Sequence, residues 1–325
     1  MFVGLSRKSE GDFEMKRVLV TGGSGFIGSA IVNKLLTLGC EVTILDDNSR
    51  GSLERLKKIN DEFRFVEGSI LDKDAVRLAC KDIDSVVHLA YINGTKNFYE
   101  RPDAVLDVGI RGILNLSDVM SEFDIPELIL ASSSEVYQQP SVIPTPESIP
   151  MIVPDLENPR YSYGLGKIVQ EFYGYHAMKK LERFVIFRPH NIYGPNMGNL
   201  HVVPQLIEKC KIAMDSGGSL EIEGDGTQTR SFCFIDDFVA AFEIIFELGK
   251  HRNVYNIGTL EEVSIIDLAK LISKLMGFRG EIKTSGGPIG GTSRRLPDIN
   301  KISNLGFNKK VSLESGLQIC IKENK

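Results

Sequence analysis

The sequence lacks the features that would direct a protein to a membrane, a nucleic acid or an oxidising compartment. No apolar stretch approaches the ~20 residues that a membrane helix needs. The 43 acidic residues exceed the 38 basic ones and give a net charge of −5, so no basic field gathers nucleic acid. The five cysteines are dispersed, without a CxxC pair or histidines at metal spacing. These absences favour a cytoplasmic protein with reduced thiols and with no membrane, nucleic-acid or metal partner.

Length and composition are those of an ordinary globular protein. With 325 residues, 42% hydrophobic and 25% charged, the chain can bury one large core or build two interlocked domains. Residues 1–14 show no periodicity, and Met15 stands directly before the first clear strand. We therefore expect residues 1–14 to form a flexible N-terminal extension.

Short apolar runs alternate with stretches of helical periodicity. The predicted strands cover residues 17–21, 41–45, 63–66, 85–90, 127–132 and 183–188. These runs are continuous in Val, Ile and Leu, which indicates strands buried on both faces. Helices in the crossovers, such as residues 27–38 before the stop signal Gly39, complete the pattern. Together they predict an α/β fold with a Rossmann-like, doubly wound parallel sheet.

A glycine-rich turn, "TGGSGFIGS", follows the first predicted strand and opens the first helix. Gly22, Gly25 and Gly28 let the backbone approach a pyrophosphate, which then rests on the helix N-terminus. Asp46 ends the second strand, where an acid accepts hydrogen bonds from the adenosine ribose and repels a 2′-phosphate. The pattern predicts NAD rather than NADP. Arg50 argues mildly against this, because a nearby arginine can accommodate the 2′-phosphate of NADP. The alternative is a structural glycine turn with a capping acid.

After about residue 190 the chain becomes richer in loops, with helices near 201–214, 236–249 and 264–276. This change predicts a smaller C-terminal α/β substrate domain at the carboxyl edge of the sheet, where ligands bind in such folds. We assign residues 15–190, with about 233–260, to an NAD-binding domain, and residues 191–232 and 261–325 to the substrate domain.

Tyr163 and Lys167, in "YSYGLGK", stand four residues apart, so on a helix they share one face. An ordinary tyrosine has a pKa near ~10, and activity near neutrality requires roughly 4 kcal/mol of phenolate stabilisation. An ammonium at ~4 Å supplies about 1–4 kcal/mol of this, and a positive nicotinamide ring adds to it. Ser133, in "ASSSEVYQ", stands at the end of a predicted strand and completes the set. This combination of motifs predicts a catalytic site.

With these motifs the chain resembles the extended short-chain dehydrogenase/reductase family, specifically its nucleotide-sugar epimerases and dehydratases. Further matching pieces are "HLA", "FRPHNIYGP", "GDGTQTRSFCFIDD", "YNIGT" and "RRLPDI". The resemblance implies that Ser133 binds the 4-hydroxyl of the sugar. It implies that Tyr163 removes the proton of that hydroxyl while C4 gives a hydride to NAD. Lys167 is implied to hold the nicotinamide ribose and to lower the pKa of Tyr163.

The same resemblance implies the remaining ligand contacts. The cofactor residues are Gly22, Gly25, Phe26, Ile27, Gly28, Asp46, Leu89, Ala90, Tyr163 and Lys167. The substrate residues are Ser133, Ser134, Asn191, Arg230 and Arg295, with both arginines on the diphosphate of a nucleoside-diphosphate sugar. Helices near 103–122 and 161–178 are implied to build a homodimer.

Several positions depart from the family's pattern. Gly109 replaces a usual asparagine, Ser69 an aspartate, and Gln138 a glycine. Gly166 replaces a common serine between Tyr163 and Lys167. Tyr91 replaces a small residue after "HLA", which is expected to put a phenol near the phosphate and substrate end. These departures suggest a divergent substrate.

Glu135 bears on the reaction that the 4-ketosugar undergoes. An epimerase needs no additional carboxylate, because the ketosugar rotates and takes the hydride back on its other face. Dehydratases and decarboxylases of the family more often carry hydroxyl–Ser–Glu here. A carboxylate can remove the C5 proton that a 4-ketone acidifies, after which the C6 hydroxyl leaves. In a decarboxylase the ketone accepts the electrons of the departing C6 carboxylate. Alternatively, Glu135 points away from the sugar.

The expected function is therefore an NAD-dependent nucleoside-diphosphate-sugar epimerase that oxidises C4 transiently. The alternative is a 4,6-dehydratase or C4-oxidising decarboxylase that uses Glu135 as an additional acid or base. A net dehydrogenase or reductase and a non-catalytic NAD-binding regulator are further alternatives.

Overall fold

The computed structural model describes residues 15–56, 63–285 and 292–323. In chain order, its strands are β1 (Arg17–Thr21), β2 (Glu41–Asp46), β3 (Arg64–Glu67), β4 (Ser85–His88), β5 (Glu127–Ala131), β6 (Arg183–Pro189), β7 (Ile192–Tyr193), β8 (Leu220–Glu223), β9 (Thr229–Ser231), β10 (Cys233–Phe234), β11 (Asn253–Ile257), β12 (Glu262–Ser264), β13 (Ile282–Ser285) and β14 (Arg294–Arg295). Its helices are α1 (Phe26–Thr37), α2 (Leu53–Leu56), α3 (Lys73–Ala79), α4 (Thr95–Glu100), α5 (Pro102–Glu122), α6 (Ser162–His176), α7 (Val202–Ser216), α8 (Ile235–Leu248), α9 (Ile265–Met276), α10 (Asn300–Ser303) and α11 (Leu313–Glu323). The expected N-terminal extension, residues 1–14, lies outside the described residues.

Seven strands form one sheet in the order β11-β6-β5-β4-β1-β2-β3. Every pairing in it is parallel, which confirms the predicted Rossmann-like sheet. The six predicted strands are all present, with ends that differ by at most two residues. The strand order reverses between β1 and β4, and ligands of such sheets bind at the carboxyl ends of the strands at this switch point.

Helices cover both faces of the sheet. On β1, Val18 and Val20 pack into one core, whereas Leu19 between them packs into the other. On β5, Ile129 belongs to the first core and Leu130 to the second. Each buried aliphatic side chain contributes about 1.5–3 kcal/mol of transfer free energy. Burial on both faces therefore explains the continuous apolar runs of the sequence.

Helix α1 ends as predicted. Gly39 has a φ of +79°, in the left-handed region that glycine adopts without a Cβ penalty. Its N–H donates to the carbonyl of Leu36, and the N–H of Cys40 donates to that of Leu35. These two bonds satisfy carbonyls at the helix end and turn the chain back toward β2.

The C-terminal part forms small sheets beside the carboxyl edge of the main one. Strand β9 pairs with β12 antiparallel and with β14 parallel, and β8 pairs with β13. The β9–β14 register places Arg230 opposite Arg295. The chain between β10 and β12 forms α8 and then β11, which is an edge strand of the main sheet. The exact division into cofactor and substrate domains stays a prediction.

The described ranges lack both a membrane span and a metal-ligand cluster. No helix there is long and apolar enough to cross a bilayer. Within the same ranges, no group of three or more His, Cys, Asp or Glu side chains is placed to hold a metal ion.

A buried ion pair ties α6 to β6. The guanidinium of Arg188 donates to both carboxylate oxygens of Glu171, at 2.9 and 2.6 Å, and each side chain is only 4% exposed. Arg188 also donates to the hydroxyl of Tyr137, at 2.7 Å. This bidentate contact fixes the orientation of the helix that carries Tyr163 and Lys167.

Removing one member of this pair leaves the other charge buried and unpaired. We expect Arg188→Met to lower the free energy of unfolding by about 3–5 kcal/mol, measured by urea denaturation. The matched control is Lys180→Met, which breaks the exposed Lys180–Asp124 pair and is expected to cost under about 1 kcal/mol. Equal losses in the two variants would contradict the importance of the buried pair.

Candidate active site

One large cleft lies at the carboxyl edge of the main sheet. Its volume is about 1910 Å³, against about 300–1,000 Å³ for an ordinary small-molecule pocket. All of the predicted catalytic, cofactor and substrate residues line it. The cleft therefore has room for a dinucleotide together with a second ligand of similar size.

The glycine turn between β1 and α1 forms a cradle without side chains at one end of the cleft. Gly22 has a φ of +74°, and a Cβ there would lie 2.9 Å from Cα of Ala90. A Cβ on Gly28 would lie 2.1 Å from the carbonyl oxygen of Gly22. Gly25, the N-cap of α1, offers no side-chain cap, so the helix N-terminus is available to an anion. The turn thus fits a pyrophosphate.

Asp46 lies at the end of β2 beside this turn. Its carboxylate accepts hydrogen bonds from the backbone N–H groups of Ser24 and Asn48, both at 2.9 Å. Arg50 donates instead to the carbonyl of Asn93, and Arg55 donates to carbonyls of Ser24 and Asn196. Asp46 is thus held at the position where a carboxylate accepts hydrogen bonds from the ribose hydroxyls. This arrangement fits NAD.

Ser133 and Tyr163 meet at the end of β5. The Oγ of Ser133 accepts the N–H of Glu135 at 3.1 Å, and the nearby Ser133 side chain lowers the pKa of Tyr163. Burial has the larger effect, so the pKa of Tyr163 lies above its ordinary value. Its ring stacks on Phe98 and meets Tyr91 edge to face, with centroids 5.1 and 4.9 Å away. Deprotonation of Tyr163 therefore requires a positive charge next to it.

Lys167 lies one turn further along α6 and is almost completely buried. Its Nζ donates to the carbonyl of Ala131 at 2.6 Å and to Oε1 of Gln170 at 3.0 Å. The ammonium lies 6.0 Å from the ring centroid of Tyr163. Burial lowers the pKa of Lys167 to about 7, against an opposing effect of Glu171. The predicted pair thus shares one helix face, with the lysine anchored to the end of β5.

Glu135 lines the cleft and pairs with Arg295, which the sequence predicts on the diphosphate. Nη1 of Arg295 donates to Oε1 of Glu135 at 2.8 Å, and Nη2 donates to Thr292 at 3.0 Å. The Nε of Arg295 is buried and has no partner among the described residues. Burial raises the pKa of Glu135, but the charge and hydrogen bond of Arg295, together with the charges of Arg160 and Arg230, outweigh it, so the net shift is downward.

Two further arginines surround this pair. Arg230 donates to the carbonyl of Thr229 at 2.7 Å, and burial together with Arg295 lowers its pKa to about 10. Arg160 also lines the cleft and acts electrostatically on both Glu135 and Arg230. Sequence reasoning assigned no role to Arg160, although it stands only three residues before the tyrosine of the YxxxK motif. Three cations against one carboxylate suit a diphosphate.

The other predicted substrate residues lie at the same end of the cleft. The side-chain amide of Asn191 donates to the carbonyl of Ser231 at 3.0 Å, linking β7 to β9. Ser134 is buried at the start of the short turn that follows Ser133. The ring of Tyr91 lines the cleft, whereas its hydroxyl is buried next to Gly109 and Gly166.

The family comparison agrees with this geometry. The model of the NAD dependent epimerase/dehydratase family matches residues 18–258. The chain belongs to this family and is an NAD-dependent enzyme.

Three curated relatives have similar identity to this chain but are named for three different reactions. A putative UDP-glucose 4-epimerase of Methanocaldococcus jannaschii is 34% identical, over 93% of this chain and 96% of the relative. A dTDP-4-dehydro-6-deoxy-D-allose reductase of Streptomyces bikiniensis is 32% identical, over 93% and 94%. UDP-glucuronic acid decarboxylase 1 of Xenopus tropicalis is also 32% identical, over 95% and 72%.

Solved structures share the fold over almost the whole chain. The UDP-glucose 4-epimerase of Thermotoga maritima with UDP-glucose has a TM-score of 0.84 at 29% identity, covering 95% of this chain and 98% of its own. The dTDP-glucose 4,6-dehydratase of Streptomyces venezuelae, with NAD and TYD bound, has a TM-score of 0.84 at 25% identity, covering 94% and 96%.

The role of Asp46 is tested by Asp46→Asn, which keeps the size of the side chain and removes its charge. We expect NAD affinity to fall about 10- to 100-fold, the worth of charge-assisted hydrogen bonds. Preference for NAD over NADP is expected to narrow, as measured by isothermal titration calorimetry. Glu67→Gln, on the exposed residue opposite Asp46 on β3, is the matched control. Unchanged affinities for both cofactors in Asp46→Asn would contradict the role.

Proposed function

We propose that this enzyme is a nucleoside-diphosphate-sugar 4-epimerase that oxidises C4 of the sugar transiently. The observation that carries the proposal is the placement of Ser133, Tyr163 and a buried Lys167 together in one cleft, at the carboxyl edge of an NAD-binding sheet. The size of the cleft and the arginines that line it support a nucleoside diphosphate as the second ligand. The relatives that act on UDP- and dTDP-sugars support the same substrate class.

The residues then have distinct tasks. Ser133 holds the 4-hydroxyl, and Tyr163 takes its proton as the C4–H bond breaks and C4 becomes a ketone. NAD⁺ held by the glycine turn and Asp46 would supply the hydride acceptor and a positive charge. After the ketosugar rotates, Tyr163 returns the proton and the hydride returns to the opposite face. Burial raises the pKa of Tyr163, which favours uptake of the proton in the oxidation step and keeps the phenol neutral while the sugar is a ketone.

The state of Glu135 favours epimerisation over 4,6-dehydration. Elimination needs a base for the C5 proton and an acid for the departing C6 hydroxyl. Arg295 holds the pKa of Glu135 below its ordinary value and so weakens it as a base. The neighbouring side chain is Ser134, whose hydroxyl is not an acid near neutrality.

Decarboxylation is the second candidate, and the arginines favour it. Arg160, Arg230 and Arg295 face a single carboxylate, Glu135, which leaves an excess of two positive charges at this end of the cleft. Such an excess accommodates a sugar with a C6 carboxylate, as in the decarboxylase relatives. A net reductase is less well supported, because Asp46 opposes the phosphate of NADPH. A non-catalytic regulator would have no use for the Ser133–Tyr163–Lys167 arrangement.

The experiment is to incubate the enzyme with UDP-, GDP-, dTDP- and CDP-sugars, UDP-glucuronic acid included, and to identify the products by NMR. Inversion at C4 supports the epimerase, and a 4-keto-6-deoxy sugar or a pentose contradicts it.

Tyr163→Phe is expected to lower turnover by about 10²–10⁴-fold, because it removes the group that transfers the proton. In contrast, Glu135→Gln still accepts a hydrogen bond from Arg295 and is expected to leave epimerase activity largely intact. Loss of turnover in Glu135→Gln would favour a reaction that uses the carboxylate.

We also propose a homodimer built on α5 and α6. The two helices pack against each other and keep apolar side chains on their outer surface, with Leu114 38% and Phe172 63% exposed. A second copy of the same helix pair would cover both side chains in a four-helix arrangement. We propose the cytoplasm as the location, in keeping with the free thiols of Cys40, Cys80, Cys210 and Cys233.

Phe172→Glu tests the dimer. A buried charge at the centre of the interface is expected to convert the protein from two chains to one in multi-angle light scattering at micromolar concentration. Leu248→Glu, at the exposed end of α8, is the control and is expected to leave the mass unchanged. A wild-type protein that is already monomeric would contradict the proposal.

A further inference from the structure

Tyr91 occupies an unusual position beside the catalytic residues. It follows β4 closely, at the switch point of the sheet, and its ring lines the cleft. Its hydroxyl is buried and has no hydrogen-bond partner among the described residues. A buried hydroxyl without a partner is destabilising, so this tyrosine is not explained by its hydroxyl.

The ring of Tyr91 contacts both members of the acid–base pair. Nζ of Lys167 lies 4.3 Å from the ring centroid, within the range of a cation–π interaction. The ring of Tyr163 meets that of Tyr91 at 4.9 Å and 81°, an edge-to-face contact. The face of one aromatic side chain therefore holds the ammonium while the same ring packs against the phenol.

Two glycines make room for this ring. A Cβ on Gly166 would lie 1.8 Å from the hydroxyl oxygen of Tyr91, and a Cβ on Gly109 would lie 2.0 Å from it. Gly109 is on α5 and Gly166 on α6, so the hydroxyl lies between the two helices. These are three of the positions at which the sequence departs from its family's pattern. In the structure they form one contact, since the large residue requires both small ones.

We propose that Tyr91 is a positioning residue, whose ring face keeps the Lys167 ammonium charged and directed at the site of proton transfer. The proposal rests on the C4 oxidation proposed above. An ammonium that is removed from water keeps its charge only if nearby groups replace the lost hydration. The carbonyl of Ala131 and the side chain of Gln170 replace part of it, and the negative face of the aromatic ring replaces another part.

The titratable groups around Lys167 come from three elements. Glu171, on α6, raises the lysine's pKa but is paired with Arg188. His88, at the end of β4, reaches Lys167 through Gln170, and burial lowers the pKa of this histidine to about 3, so it is neutral. Tyr163 and Tyr91 complete the set. The alkaline limb of the pH–rate profile is therefore expected to report Lys167, since activity is lost when the ammonium deprotonates.

The test compares variants that keep or remove the ring. Tyr91→Phe keeps the ring and is expected to keep the alkaline limb of kcat at its wild-type pH. Tyr91→Leu and Tyr91→Met remove the aromatic face and are expected to move the limb about one pH unit lower, equivalent to about 1.4 kcal/mol. Circular dichroism and thermal unfolding verify the fold of each variant. A merely structural role for Tyr91 would lower stability without moving the limb, and that result would overturn the proposal.

The glycine contact gives a second test with the ring still present. In Gly166→Ala the new Cβ displaces the hydroxyl of Tyr91, and the limb is expected to move to lower pH as in Tyr91→Leu. In the double variant Gly166→Ala/Tyr91→Phe the hydroxyl is absent, and the nearest remaining ring atom is 3.2 Å from the Cβ. The limb is therefore expected to return toward the wild-type pH. A limb that stays at the wild-type pH in Gly166→Ala would also overturn the proposal.

The outcomes separate this inference from the proposed function. A wild-type enzyme that oxidises none of the nucleotide sugars contradicts the function itself. A wild-type enzyme that turns over, with the same alkaline limb in every Tyr91 and Gly166 variant, overturns only the role of Tyr91.

Discussion

The geometry of the site depends on the hydrogen bond from Lys167 to the carbonyl of Ala131. This 2.6 Å contact joins the middle of α6 to the last residue of β5. Ser133 lies two residues after that carbonyl, and Tyr163 lies one helical turn before the lysine. Together with the Arg188–Glu171 pair, this buried bond holds the helix that carries Tyr163 next to the strand that precedes Ser133. Because the ammonium is out of water, the groups around it also decide whether it stays charged.

A chain of buried polar groups extends from this lysine to the end of β1. Gln170 accepts from Lys167, donates to the carbonyl of Gly109 at 3.1 Å and faces His88 at 3.3 Å. The other ring nitrogen of His88 lies 2.8 Å from the hydroxyl of Thr21 at the end of β1. The chain thus runs from the catalytic helix to the strand that precedes the glycine turn. It links the positions of the cofactor cradle and the proton-transfer groups, and Lys167 is the charged member of the chain.

Local sequence signals were sufficient for the sheet, the glycine turn and the tyrosine–lysine pair, because each depends on neighbouring residues. The pairing of Glu135 with Arg295 joins residues 160 positions apart, and no spacing rule reaches across that distance. The sequence predicted a role for both residues, but with Glu135 acting on the sugar and Arg295 binding the diphosphate. The packing of Tyr91 between Gly109 and Gly166 could not be predicted from sequence spacing either, although each of the three residues departs from the family's pattern. Such contacts are set by how α5 and α6 pack on the sheet.

Transient oxidation at C4 is the central claim, and rapid mixing of the NAD-loaded enzyme with its nucleotide sugar tests it most directly. The absorbance of reduced nicotinamide reports each hydride transfer as it happens. We predict that this absorbance rises within the first turnover and then falls, with all of the cofactor recovered as NAD⁺. The rise should be absent when Tyr163 is replaced by phenylalanine. Product that forms without any reduced nicotinamide, or reduced cofactor that accumulates in step with product, would contradict the mechanism.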